Sequence, residues 1–295
     1  MKSKFYFSVI LSFLLAMLLI LLFLSGVALA ATTKEAAIDQ ALYWLRSQQQ
    51  ADGSIPSTVS GTYNGTSKAV LAIAAANQDP NTWLSSGNNS PLDFLASQAL
   101  TQTDTITETG TAAWLTLAVV AAGENPYDFG GVNLVQRLQS YYDSGTGQYG
   151  LEGDVPVQAL SMMALSAAVT DTQYITQTVP VTATNLLKSW QDAGGGWGYA
   201  YPCTGWCSPD VDNTALAIQA LIAAGEPVTS TSIVDALDFL KTQQGDDGGF
   251  QSWGTSNANS TAWGIQAVIA AGQDPDGADW TKDGNTLVSF LLSLQ

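Results

Sequence analysis

The chain has 295 residues, 46% hydrophobic and 12% charged, which is ample apolar material for one large core. Nine Lys and Arg face 25 Asp and Glu, and the resulting net charge of −16 argues against nucleic acid or an anionic membrane surface as a partner. With no His and only two Cys there is no usual zinc ligand set, and neither a metal nor another cofactor is expected.

The N-terminus reads Met1-Lys-Ser-Lys4, then an apolar run from Phe5 to Leu24, then Ala28-Leu-Ala30. Residues 1–30 have the form of a signal peptide cut before Ala31. A run of about 20 apolar residues also suffices to span a bilayer, so an uncleaved anchor is the alternative. Both readings place the rest of the chain outside the cytoplasm, secreted or tethered, with membrane contact only through this segment. One domain is expected over residues 34–295.

Two kinds of segment then alternate. The first kind begins at Ala37 and recurs at Pro91, Asn133, Asn185, Ile233 and Asn285. Apolar residues fall at three-and-four spacing, with Asp, Lys, Arg and Gln on the other face, as in half-exposed outer helices. After several of them comes a Gly-rich turn that ends on an apolar plug: Ile55, Tyr149, Trp197 or Phe250. The plug is expected to pack under the next helix.

The second kind is apolar nearly all round and must be buried or face a cavity. Its clearest copy runs from Ser208 to Pro227, and Asn257–Gly272 matches it position by position, Gln266 falling on Gln219. Further copies end at Asn77, Gly123 and Val169, so the helix ends fall at 77, 123, 169, 225 and 272. A step this regular marks a helical repeat. The longest step, from 169 to 225, holds both cysteines, and Cys203 and Cys207 should form a local disulfide in an exported segment.

The turns Gln191–Trp197 and Gln244–Phe250 resemble the Gln…Gly-Gly-aromatic repeats of squalene–hopene cyclases and protein prenyltransferase β subunits. With the inner segments, the resemblance covers essentially the whole chain after the leader. It implies an all-α fold, an α/α toroid of about five and a half helical hairpins with eleven helices. Cobalamin carriers and complement-type thioester domains share that fold class. The sixth inner helix is absent, which implies a truncated chain or a ring left open at one seam.

Aligning the helix ends puts polar residues at the mouth of the ring: Glu108, Asp154, Asp210 and Asn257, with Asp212 and Asn259 two residues further on. Helix capping is one role for them. The other is binding a small molecule or a partner segment, together with Trp206 of the bridged loop. Asp210-Val-Asp-Asn-Thr-Ala215 also resembles the Asp-x-Asp-Asp-Thr-Ala motif of class II terpene cyclases, which implies Asp212 as the general acid. Asn213 and the helix N-terminus would both keep Asp212 ionised. Zinc-dependent prenylation and thioester chemistry lack their residues, and Asp274–Asp279 lacks calcium-loop spacing. A binding module is the expected function, with a cyclase and a structural surface repeat as alternatives.

Overall fold

The computed structural model describes residues 33–101, 108–169 and 179–295. The leader, residues 1–30, lies outside them. Among the described residues no helix is long and apolar enough to cross a membrane.

The fold is an all-α toroid. The outer helices are α1 (Lys34–Gln48), α3 (Pro91–Ala99), α5 (Leu134–Ser140), α7 (Val181–Ser189), α9 (Thr231–Thr242) and α11 (Leu287–Ser293). The inner helices are α2 (Gly61–Ala75), α4 (Thr109–Ala121), α6 (Val155–Ala168), α8 (Val211–Ala223) and α10 (Ala258–Ala270). Each inner helix packs on the next in chain order, and α3, α5, α7, α9 and α11 each lean on the inner helix before them. Start-to-start contacts show that the inner helices run parallel: Asn64 of α2 bonds Thr111 of α4 at 3.3 Å, and Asn259 of α10 bonds Asp212 of α8 at 2.7 Å. The seam falls between α10 and α2, which do not pack on each other as their neighbours do. Lys34 at the start of α1 bridges it by pairing with Asp276, which also accepts from Thr286 at the start of α11.

The helix stops are chemical. Asn77, Gly123, Gly225 and Gly272 all take left-handed backbone just after an inner helix. The apolar all-round character of these helices is used in full: outer helices cover one side, and the other faces the ring interior.

The plugs are tied by a bond that the repeat pattern did not reveal. The backbone N–H of Ile55 donates to Thr66 Oγ1 at 2.9 Å, that of Tyr149 to Gln158 Oε1 at 2.7 Å, that of Trp197 to Thr214 Oγ1 at 2.9 Å and that of Phe250 to Thr261 Oγ1 at 2.8 Å. All four acceptors lie eleven residues before their helix end. All four plug side chains are buried. In the repeats of Gln191 and Gln244 the Gln before the Gly turn is a clamp. Gln191 Nε2 donates to Gly195 O and Ser232 O, and Gln244 Nε2 to Gly248 O and Trp280 O. Gly248, at φ 87°, lies so close to the next outer helix that a Cβ would stand 2.5 Å from Thr286 O. The turn therefore needs Gly for both conformation and contact.

Among the described residues there are also three hairpins of two-residue strands: β1 (Tyr142–Asp143) with β2 (Gln148–Tyr149), β3 (Gln251–Ser252) with β4 (Thr255–Ser256), and β5 (Thr281–Lys282) with β6 (Asn285–Thr286).

Candidate functional site

The polar residues of the mouth divide into two groups. Asp154, Asp210 and Asn257 are helix caps, accepting from the backbone N–H of Val157, Asn213 and Ser260 at 3.0, 2.9 and 2.9 Å. Glu108 precedes α4 without a capping bond from its side chain. Asp212 and Asn259, each the second residue of its helix, cap nothing and meet each other. The capping expectation therefore holds for Asp154, Asp210 and Asn257 and fails for Glu108, Asp212 and Asn259. A cap must sit before the first helical residue to reach the free N–H groups, and Asp212 and Asn259 are already within their helices.

Asp212 has an unusual setting. Its Oδ2 accepts from Asn259, while Oδ1 is buried and accepts no hydrogen bond of normal geometry. Burial pushes its pKa up, the nearby Asp210 charge adds to this, and the Ser260 hydroxyl and Asn259 amide offset it only in part. The shift opposes the direction expected from the helix N-terminus alone. Asn213 does not serve Asp212 either, since its side-chain amide donates to Asp210 Oδ2 at 2.7 Å. Burial also raises the pKa of Asp210 and Asp154.

Helical spacing carries the inward face down from Asp212 through Leu216 to Gln219, and from Asn259 through Trp263 to Gln266. The same positions of α2 and α4 hold Lys68 and Trp114. These side chains meet inside the ring. The Trp114 and Trp263 ring centroids are 6.2 Å apart, and Lys68 Nζ stands 4.8 Å from the Trp114 centroid. Burial lowers the Lys68 pKa. Gln219 and Gln266 are 1% and 2% exposed, and the Oε1 of each is unpaired. In the sequence the two Gln stand out only as matching positions. An identical polar residue recurring in an apolar helix is the signal that marks them.

Beside the mouth, Cys203 and Cys207 form a disulfide with Cα atoms 5.1 Å apart. Such a bond belongs to an oxidising, extracytoplasmic setting. The loop is held on the start of α6, where Tyr201 N donates to Gly153 O at 2.8 Å. Trp206 does not enter the ring: it is 81% exposed and stacks on Tyr199 with centroids 6.3 Å apart. Asp276, in the run Asp274–Asp279, pairs with Lys34 and accepts from Thr286.

No protein-family model matches the chain, and no curated protein is similar to it in sequence. Among solved structures, ent-copalyl diphosphate synthase from Streptomyces platensis is similar, with a TM-score of 0.51 and 15% identity over 90% of this chain and 50% of that one. The chain thus spans half the length of that enzyme. At this identity the likeness establishes a terpene cyclase-like toroid fold.

Proposed function

We propose that this chain is an extracytoplasmic binding module that holds a small molecule at the mouth of the toroid, around Asp212. The observation that carries this reading is the half-satisfied Asp212 carboxyl: one oxygen is fixed by Asn259 and the other is buried and unpaired, on the inward face of the ring. An unpaired buried polar atom costs about 1–3 kcal/mol, and a ligand that donates to it recovers that cost. Export is supported by the leader-like first 30 residues together with the disulfide.

Acid-initiated cyclisation is the second reading, favoured by the fold likeness, the Asp210-Val-Asp-Asn-Thr-Ala215 motif and the raised pKa of Asp212. Lys68 weighs against it. A fixed ammonium on the face of Trp114 occupies ring surface that would stabilise a carbocation, and it repels the developing positive charge. Incubation with squalene and shorter polyprenes, followed by product analysis, separates the two. The binding reading expects no cyclised product. It also expects ligand-induced thermal stabilisation in a small-molecule screen, lost in Asp212→Asn. Product from the wild type, abolished in Asp212→Asn, would make the chain an enzyme.

A further inference from the structure

Trp253 occupies the first position of the two-residue β3–β4 turn at φ 56°, with Gly254 following at φ 80°. The β5–β6 hairpin makes the same turn with Asp283 at φ 49° and Gly284 at φ 81°. Asp and Asn suit that left-handed position, whereas a bulky side chain there is disfavoured. Trp253 gains no packing in exchange, because it is 94% exposed. Trp206 lies in the matching stretch of the preceding repeat, between the plug Trp197 and the cap Asp210, and is also exposed. Two exposed indoles thus stand beside the starts of adjacent inner helices. One of them is held against backbone preference.

The ring interior constrains what these indoles meet. Gln219 and Gln266, at least nine-tenths buried, leave their carbonyl oxygens unpaired, as do Asp212 Oδ1 and Asn64 Oδ1. Gln219 Nε2 is turned back onto Ala215 O at 3.1 Å, so its Oε1 is the free end. These oxygens accept only and are closed to solvent, so a ligand that reaches them must donate. Among the described residues Lys68 makes no ion pair, and a cationic ligand entering the same interior would be repelled by it. An anion would meet Asp210, Asp212 and the strongly negative chain. Hydroxyl groups donate to the free oxygens and accept from Lys68 without net charge, while sugar C–H faces stack on indole rings.

Resting on the binding reading above, we propose that the ligand is a neutral saccharide, one end held at the Asp212 mouth and the rest of the chain lying over Trp206 and Trp253.

Affinity electrophoresis through gels containing neutral glucans, xylans or mannans tests this, with calorimetry on oligosaccharides of any polymer that retards the protein. The expected result is retardation by at least one neutral polysaccharide. Kd should weaken about tenfold in Trp206→Ala, in Trp253→Asn and in Asp212→Asn. Trp253→Asn gives the turn its preferred residue, so an unchanged or raised Tm would separate lost contact from lost folding. A parallel thermal-shift panel of alkylammonium ions and dicarboxylates separates the two levels. If a charged compound stabilises the protein through Asp212 and no neutral saccharide binds, the saccharide proposal falls and the binding reading stands. If nothing binds, both fall. Saccharide binding indifferent to all three substitutions would overturn the proposed site.

Discussion

Asn259 of α10 donates its side-chain amide to the Asp212 carboxylate of α8 at 2.7 Å, across the starts of two parallel inner helices. The bond joins neighbouring repeats at the ring mouth and leaves the second oxygen of Asp212 buried, with no hydrogen bond of normal geometry. An acid in that position is easier to protonate than an exposed one, because burial disfavours its charge.

The first prediction follows from that shift. A carboxyl whose folded pKa is raised holds more protons folded than unfolded, starting near the ordinary 3.8 and extending upward to the raised value. Its contribution to stability therefore falls as pH rises through this window and is level above it. Urea unfolding of the wild type and Asp212→Asn should show the wild type losing ground to the variant between about pH 4 and pH 7. The same difference at both pH values would show that Asp212 titrates normally.

The plug bonds make a second prediction. Thr214→Val keeps the shape of the side chain but strips the buried Trp197 N–H of its acceptor, which should cost about 1–3 kcal/mol in urea unfolding. Thr214→Ser should retain most of the stability. Equal losses in both variants would point to packing of the Thr methyl as the dominant contribution.

A third compares two glycines that share a backbone conformation and differ in surroundings. Gly272 has φ 76° and open space, with nothing within 4 Å of where a Cβ would stand, while at Gly248 the Cβ would meet Thr286 O at 2.5 Å. Gly272→Ala should lose about 1 kcal/mol from the left-handed backbone alone. Gly248→Ala should lose clearly more, because α11 must move, and a matched pair of Tm shifts would remove the contact argument.

The fourth concerns the bridged loop. Closing a loop as short as Cys203–Cys207 stabilises by about 2 kcal/mol on a chain-entropy basis. Double replacement by Ser should lower stability by no more than that and leave far-UV circular dichroism unchanged. Loss of helical signal would mean that the loop holds α6 and α8 together. Mass spectrometry before and after reduction checks the pairing itself.

Much of this fold is legible in the sequence because its determinants are local. The left-handed stops at Gly123, Gly225 and Gly272, the Gly turns after the outer helices, and the short span from Cys203 to Cys207 each express chemistry within a few residues. The repeat predicts eleven helices, and eleven α-helices stand among the described residues. The site is less legible because it depends on which faces converge. Alignment puts Asp210 and Asp212 together, but only the fold separates a cap from an inward carboxyl. It also brings together Trp114 and Trp263, 149 positions apart in the chain, which no local pattern pairs.

The contact between Lys34 and Asp276 joins the first described helix to the segment before the last, across the seam. The pairs Lys188–Glu226 and Lys282–Asp246, by comparison, span less than one repeat of sequence. Because the seam pair is partly open to solvent, dissolved salt weakens it more than it weakens the apolar packing elsewhere. Raising ionic strength should therefore loosen this end-to-end tie before it affects the rest of the ring. If the proposed guest is held inside, its residence time should shorten as salt rises, even where its own contacts are indifferent to ions.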